Sequence, residues 1–141
     1  MKSVFIIFLS LLLIAASPLQ AEQKKQLGNW DVHYIAFNAT FVTPDIARNY
    51  GLVRSKYNAI INISVLDSNS QQAQKASITG TARNLLGQQR VLEFKEVSEG
   101  NAIYYLATLP FRDQETYTFA IDIRQGNTIQ TLNFKQTFYA E

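Results

Sequence analysis

Trp30-Asp31-Val32-His33-Tyr34-Ile35-Ala36-Phe37 sets the pattern for the whole chain. Trp30, Val32, Tyr34 and Ala36 alternate with Asp31, His33, Ile35 and Phe37, giving one apolar face and one mixed face. A repeat of two residues belongs to a strand, whose successive side chains point to opposite faces. The same period returns downstream. Ile61, Ile63 and Val65 alternate with Asn62 and Ser64, and Ile78, Gly80 and Ala82 alternate with Ser77, Thr79 and Thr81. Val91–Phe94, Ile103–Leu106, Tyr117–Ile123 and Leu132–Phe138 complete the series. Val, Ile, Thr, Tyr and Phe dominate these runs, as suits a pleated, half-buried surface.

Polar and glycine-bearing segments punctuate the runs: Asp67–Ser70, Asn84–Gly87, Ser98–Asn101, Arg112–Gln114 and the tight Gln125-Gly126-Asn127. About seven strands at short spacing predict an all-β fold, a single immunoglobulin-like β-sandwich. One segment departs from it. In Thr43-Pro44-Asp45-Ile46-Ala47-Arg48-Asn49-Tyr50-Gly51, Thr is placed to cap, Pro to open, Asp to sit in the first turn and Gly to stop a short helix. The sandwich is therefore expected to carry one inserted helix of about two turns.

The start of the chain has a different character. Lys2 is followed by the apolar run Val4–Ala16, then by Ser17-Pro18-Leu19-Gln20-Ala21. Charge, short apolar core and small terminal residue are the order of a secretory signal peptide. The run is 13 residues long, whereas a spanning helix needs roughly 20. Residues 1–21 are thus expected to be a cleaved signal peptide, with the domain at 22–141, a periplasmic destination and no stable membrane insertion after cleavage. Removing 21 of 141 residues leaves 120, enough for one domain with its own core. The chain has no Cys, so packing alone must hold the fold in a compartment that permits disulfides.

Charge and composition exclude several functions. Loss of Lys2 leaves 12 basic against 11 acidic residues, scattered along the chain. No basic stripe is present, so a nucleic-acid partner is not expected. His33 is the single His, too few for a histidine-rich zinc site. Asp67-x-Asn69 begins like a calcium loop, but Gln72 and Ile78 stand where that loop needs Gly and Glu. No phosphate-cradling glycine loop occurs. Neither a metal nor another cofactor is expected.

Asp31 and His33 lie two apart and share a strand face, where a nearby Ser would complete an acyl-transfer triad. No Gly-x-Ser-x-Gly elbow accompanies them. Glu93 and Lys95 read as neighbours on one face of a strand. Tyr34, Phe37, Phe41, Tyr50 and Tyr57 crowd the first part of the domain. They can fill the core or form an exposed patch beside the helix, rimmed by Arg48, Arg54 and Lys56. Arg54 can also cap the last carbonyls of that helix. The candidate binding residues are His33, Asn38, Thr40, Tyr50 and Arg54.

His33-Tyr34-x-Ala36-Phe37-Asn38-x-Thr40-Phe41, Pro44, Tyr50-Gly51 and Arg54-Ser55-Lys56 carry a resemblance. So do Asn62–Val65, Gly80-Thr81-Ala82, Asn84–Gln88, Ile103–Leu106 and Phe138-Tyr139. Together they resemble domain-of-unknown-function family 4426, exported proteins of proteobacteria. Ala39 stands where that family carries Ser. The resemblance implies a Gram-negative periplasmic domain and no particular catalysis. Three functional readings remain: a non-catalytic binding or interaction module with a periplasmic protein partner, a small hydrolase centred on Asp31-His33, and a carrier of a small apolar ligand.

Overall fold

The computed structural model describes residues 22–140. The signal peptide expected at 1–21 lies outside them. Among these residues nine strands are divided between two antiparallel sheets: β1 (Gln23–Leu27), β2 (Trp30–Asn38), β3 (Asn58–Asp67), β4 (Ser77–Asn84), β5 (Gln89–Glu93), β6 (Lys95–Glu99), β7 (Ala102–Pro110), β8 (Glu115–Gln125) and β9 (Thr128–Phe138). One sheet has the order β1-β2-β3-β7-β6 and the other β5-β4-β8-β9. The all-β sandwich expected from the alternation is the architecture observed, with nine strands rather than seven.

The two additional strands have physical reasons. β1 is Gln23-Lys24-Lys25-Gln26-Leu27, almost wholly exposed. An edge strand with no buried face has no alternation to read, and its lysines suit an edge that must not recruit other strands. The other addition divides what reads as one strand. Glu93 ends β5 in the four-stranded sheet and Lys95 opens β6 in the five-stranded sheet. Phe94 alone makes the crossing, so Glu93 and Lys95 do not share a face.

The core is built from the inward positions of both sheets. Val32, Tyr34, Ala36, Ile61, Ile63, Val65 and Ala107 meet Ile78, Ala82, Tyr117, Phe119, Ile121, Ile123, Leu132 and Phe138. Phe134 stacks on Phe119 with ring centroids 4.5 Å apart and lies tilted against Tyr34 at 4.7 Å, joining the sheets through aromatic contact. The Gln136 side chain donates to the Ala36 carbonyl oxygen at 2.7 Å, a polar tie between them. Gly80 lies opposite Ile121. A Cβ there would stand 2.9 Å from Ile121 Cγ1 and 3.0 Å from the Ala120 carbonyl oxygen, so only a hydrogen fits.

Three hairpins turn on the same dipeptide. Gly28-Asn29 joins β1 to β2, Gly100-Asn101 joins β6 to β7 and Gly126-Asn127 joins β8 to β9. Each Gly has φ near +60° and no Asn does. Positive φ at the first central residue alone matches a type II′ turn, whose twist suits paired strands.

The inserted helix, α1 (Pro44–Tyr50), forms as its end signals require. Thr43 Oγ1 accepts from the Ile46 N–H at 3.4 Å, and Gly51 closes the helix in the left-handed region at φ 67°. A 3₁₀ turn at Ala39–Phe41 leads into it. Ala39, Val42, Ala47 and Leu52 pack with Phe37, Ile60 and Leu106, forming a second small core on the outside of the five-stranded sheet.

Candidate functional site

The outer face of the five-stranded sheet is covered unevenly. The second small core roofs one end, over Phe37, Ile60 and Leu106. The other end stays open and carries the polar residues of the alternation. His33 on β2 stands opposite Ser64 on β3, and Asn62 stands between Ile35 and Leu106. Gln71 and Ala73 from the β3–β4 loop, Asn101 from the β6–β7 turn, Ala102 at the start of β7, and Glu22 border this end. With His33, Ser64, Leu66 and Tyr104 they enclose an open groove of about 420 Å³.

Polar satisfaction is incomplete here. His33 Nε2 and Asn62 Oδ1 are buried and find no hydrogen-bond partner. An unmet buried donor or acceptor costs about 1–3 kcal/mol, so such atoms call for an explanation. His33 Nδ1 lies 3.9 Å from Glu22 Oε1, too far for a direct hydrogen bond. The acid expected to serve His33 is committed elsewhere. Asp31 Oδ2 accepts from Gln71 Nε2 at 2.9 Å and lies 3.9 Å from Lys24 Nζ. Gln71 is held with φ 61°, a conformation non-glycine residues seldom adopt, and its amide also donates to the carbonyls of Asp67 and Ser68. Asp67 anchors the same loop by accepting from the Ser70 and Asn69 backbone N–H groups. The Ser70 bond leads in lowering its pKa.

The five residues singled out by sequence are not brought together. His33 lies in the groove. Five residues along β2, roughly 16 Å away at the strand rise, the Asn38 amide donates to the Tyr139 carbonyl oxygen at 2.7 Å. Arg54 Nε donates to the Val42 carbonyl oxygen at 2.6 Å, and its guanidinium also reaches the Thr40 carbonyl oxygen. Arg54 therefore secures the approach to α1 rather than the end expected for it. Tyr50 donates its hydroxyl to Glu99 and accepts at its carbonyl oxygen from Lys95 Nζ, tying α1 to β6. Tyr50, Arg54 and the Thr40 backbone brace the insertion, while Asn38 ties the end of β2 to the C-terminal segment.

The clustered aromatics divide between both expected roles. Tyr34 is core and Phe37 packs beneath α1, while Phe41 is 73% exposed and Tyr57 48%. Ile46 and Val53, the latter 63% exposed, add to the apolar surface of the insertion. The groove residue Ser64 and its neighbour Asn62 are visible as the polar half of the β3 alternation. Their signal was position: β3 is the middle strand of its sheet, where polar side chains on the outer face are flanked by strands on both sides.

Residues 24–141 match the family described as domain of unknown function (DUF4426). The chain belongs to the DUF4426 family. A DUF4426 family protein of Pseudomonas aeruginosa PAO1, known from a crystal structure, is 38% identical with a TM-score of 0.75, covering 85% of this chain and 96% of that one. A copper-bound variant of FetP from uropathogenic Escherichia coli strain F11 has a TM-score of 0.60 at 11% identity, over 86% of this chain and 97% of that one. FetP as isolated from the same strain, expressed recombinantly in the E. coli periplasm, gives 0.55 at 11% identity, over 85% and 93%. The likeness to FetP is one of fold. No curated protein matches the chain. Among the described residues of this DUF4426 protein, no helix is long and apolar enough to cross a membrane.

Proposed function

We propose that this DUF4426 protein is an exported, non-catalytic binding module of the Gram-negative periplasm, and that it meets a protein partner through the surface of the α1 insertion. The observation that carries the reading is the exposure of Phe41, Ile46, Val53 and Tyr57 on one short segment. Exposed apolar side chains gathered on one surface segment mark interaction sites. The segment is fixed before any partner arrives: Arg54, Tyr50 and Thr43 hold it, and Ala39, Val42 and Ala47 bury its underside. Such preorganisation lowers the ordering cost of binding. The leader-like residues 1–21 and the exported character of the family support the compartment. The copper seen with the FetP variant is not carried over, because the described residues hold no group of three His, Cys, Asp or Glu side chains placed for a metal.

The test is crosslinking in intact cells. A photoreactive residue is placed at Val53 or, as a control, at Thr118 on the outer face of the four-stranded sheet. The reading predicts a discrete protein adduct from position 53 alone, lost when Phe41→Ser and Tyr57→Ser are added. Equal adducts from both positions, or none from position 53, would remove the insertion from consideration.

A further inference from the structure

We infer that the groove at the open end of the five-stranded sheet binds a neutral, hydroxyl-rich ligand, that is, a saccharide. The site is separate from the α1 surface and does not depend on it. Size permits the assignment, since about 420 Å³ falls within the range of small-molecule sites. Charge narrows it. The lining has no Lys or Arg to neutralise a phosphate or carboxylate, and Glu22 is its one acidic side chain. Carbon atoms make up most of the exposed lining, from Leu66, Ala73, Ala102 and Tyr104 among others, a surface that suits the less polar face of a sugar ring. What remains is a set of neutral polar groups, Ser64, Gln71 and Asn101, around the Tyr104 ring.

The gap between Glu22 and His33 favours a hydroxyl in particular. Glu22 Oε1 and His33 Nδ1 are 3.9 Å apart, enough for one bridging atom to reach both. An ionised carboxylate only accepts, whereas an imidazole nitrogen donates or accepts according to its tautomer. With the proton on Nδ1 a single hydroxyl meets both groups, donating to Glu22 and accepting from Nδ1–H. No acceptor meets the buried His33 Nε2, while the Glu22 carboxylate faces Nδ1, which favours the proton at Nδ1. An amide N–H could donate to Glu22 but could not accept from the imidazole. A sugar ring supplies several such hydroxyls for Ser64, Gln71 and Asn101, with a less polar face to lie on Tyr104.

The experiment follows backbone amide resonances of the isotopically labelled protein on addition of the N-acetylglucosamine tetramer or maltotetraose. Inorganic phosphate and laurate serve as anionic and apolar controls. Expected are shifts at His33, Ser64, Asn101 and Tyr104 with at least one tetrasaccharide and none with the controls. Tyr104→Ala and His33→Gln should weaken binding at least about tenfold with unchanged melting. If Tyr104→Ala does not fold, Asn101→Ala at the rim serves in its place. Pelleting with peptidoglycan sacculi separates the sources. Binding to sacculi points to a wall polymer, and response to free tetrasaccharide alone points to a soluble sugar. If neither tetrasaccharide nor sacculi perturb the groove at millimolar sugar, the gap holds water only and the inference is overturned. Equal perturbation by laurate would likewise overturn it. Loss of the α1 crosslink with sugar binding intact would sink only the partner reading.

Discussion

His33 and Ser64 stand in direct cross-strand register on the outer face of the five-stranded sheet, yet the Ser64 hydroxyl donates to the Ile103 carbonyl oxygen at 3.4 Å. A nucleophilic serine must give its proton to the imidazole and needs donors for the developing oxyanion. Here the acid next in sequence, Asp31, serves the β3–β4 loop instead. The first prediction follows: Ser64→Ala costs about 0.5–1 kcal/mol, the worth of one ordinary hydrogen bond. Any slow ester hydrolysis by the two proteins should be indistinguishable in a p-nitrophenyl acetate assay.

Asn84 is nearly buried and organises the loop between β4 and β5 with its own side chain. Its Oδ1 accepts from the Leu86 and Gln88 backbone N–H groups, and its Nδ2 donates to Gln88 and Glu115. Removing it strands several of these groups. Asn84→Ala should destabilise the protein by about 2–3 kcal/mol, read by urea unfolding. Amide exchange at Leu86 and Gln88 should accelerate well beyond that elsewhere.

Gly80 leaves no room against Ile121 and the Ala120 carbonyl oxygen. Gly80→Ala adds one methyl to a packed interior, and overpacking of this kind costs about 1–3 kcal/mol. In strands Ala is otherwise no worse than Gly, so the sign reports the clash. An unchanged melting temperature would contradict the packing described.

Acid should weaken the fold partly through Glu115. Burial pushes its pKa up, but the Arg112 backbone N–H, the Asn84 amide and lesser contacts outweigh this and leave it lowered. A carboxylate with a depressed folded-state pKa adds stability above its unfolded value and loses it as pH falls through the folded one. The contribution is present at neutral pH, begins to fall near the ordinary Glu value of about 4.3 and is gone below the lowered folded-state pKa. Glu115→Gln should lower stability at pH 7 and flatten its decline between pH 5 and 3, measured by denaturant midpoints. Parallel acid limbs for the two proteins would show that Glu115 is not responsible.

Much of this architecture was legible because a half-buried strand writes its burial as alternation. β2, β3, β4, β8 and β9 all do so, and α1 announced itself through Thr43, Pro44 and Gly51. β1 did not, since Lys24 and Lys25 lie on an edge with no buried side. The break at Phe94 was also hidden, because a residue leaving one sheet for the other stays apolar and extended. The groove was less legible still. His33 stood out by its rarity, but Glu22 on one side and Asn101 and Tyr104 on the other reach it from two segments far apart in sequence. Asn38 and Arg54 stood out for their polarity beside aromatics, and each has a structural partner in the fold.

Phe94 has a mechanical consequence. It is the lone residue between β5 and β6, so on that side the sandwich is closed by one nearly continuous strand that belongs to both sheets. The sheets cannot slide past each other without breaking hydrogen bonds at the crossing. Any partner or ligand that presses on the outer face of one sheet pulls on the other through the backbone at Phe94.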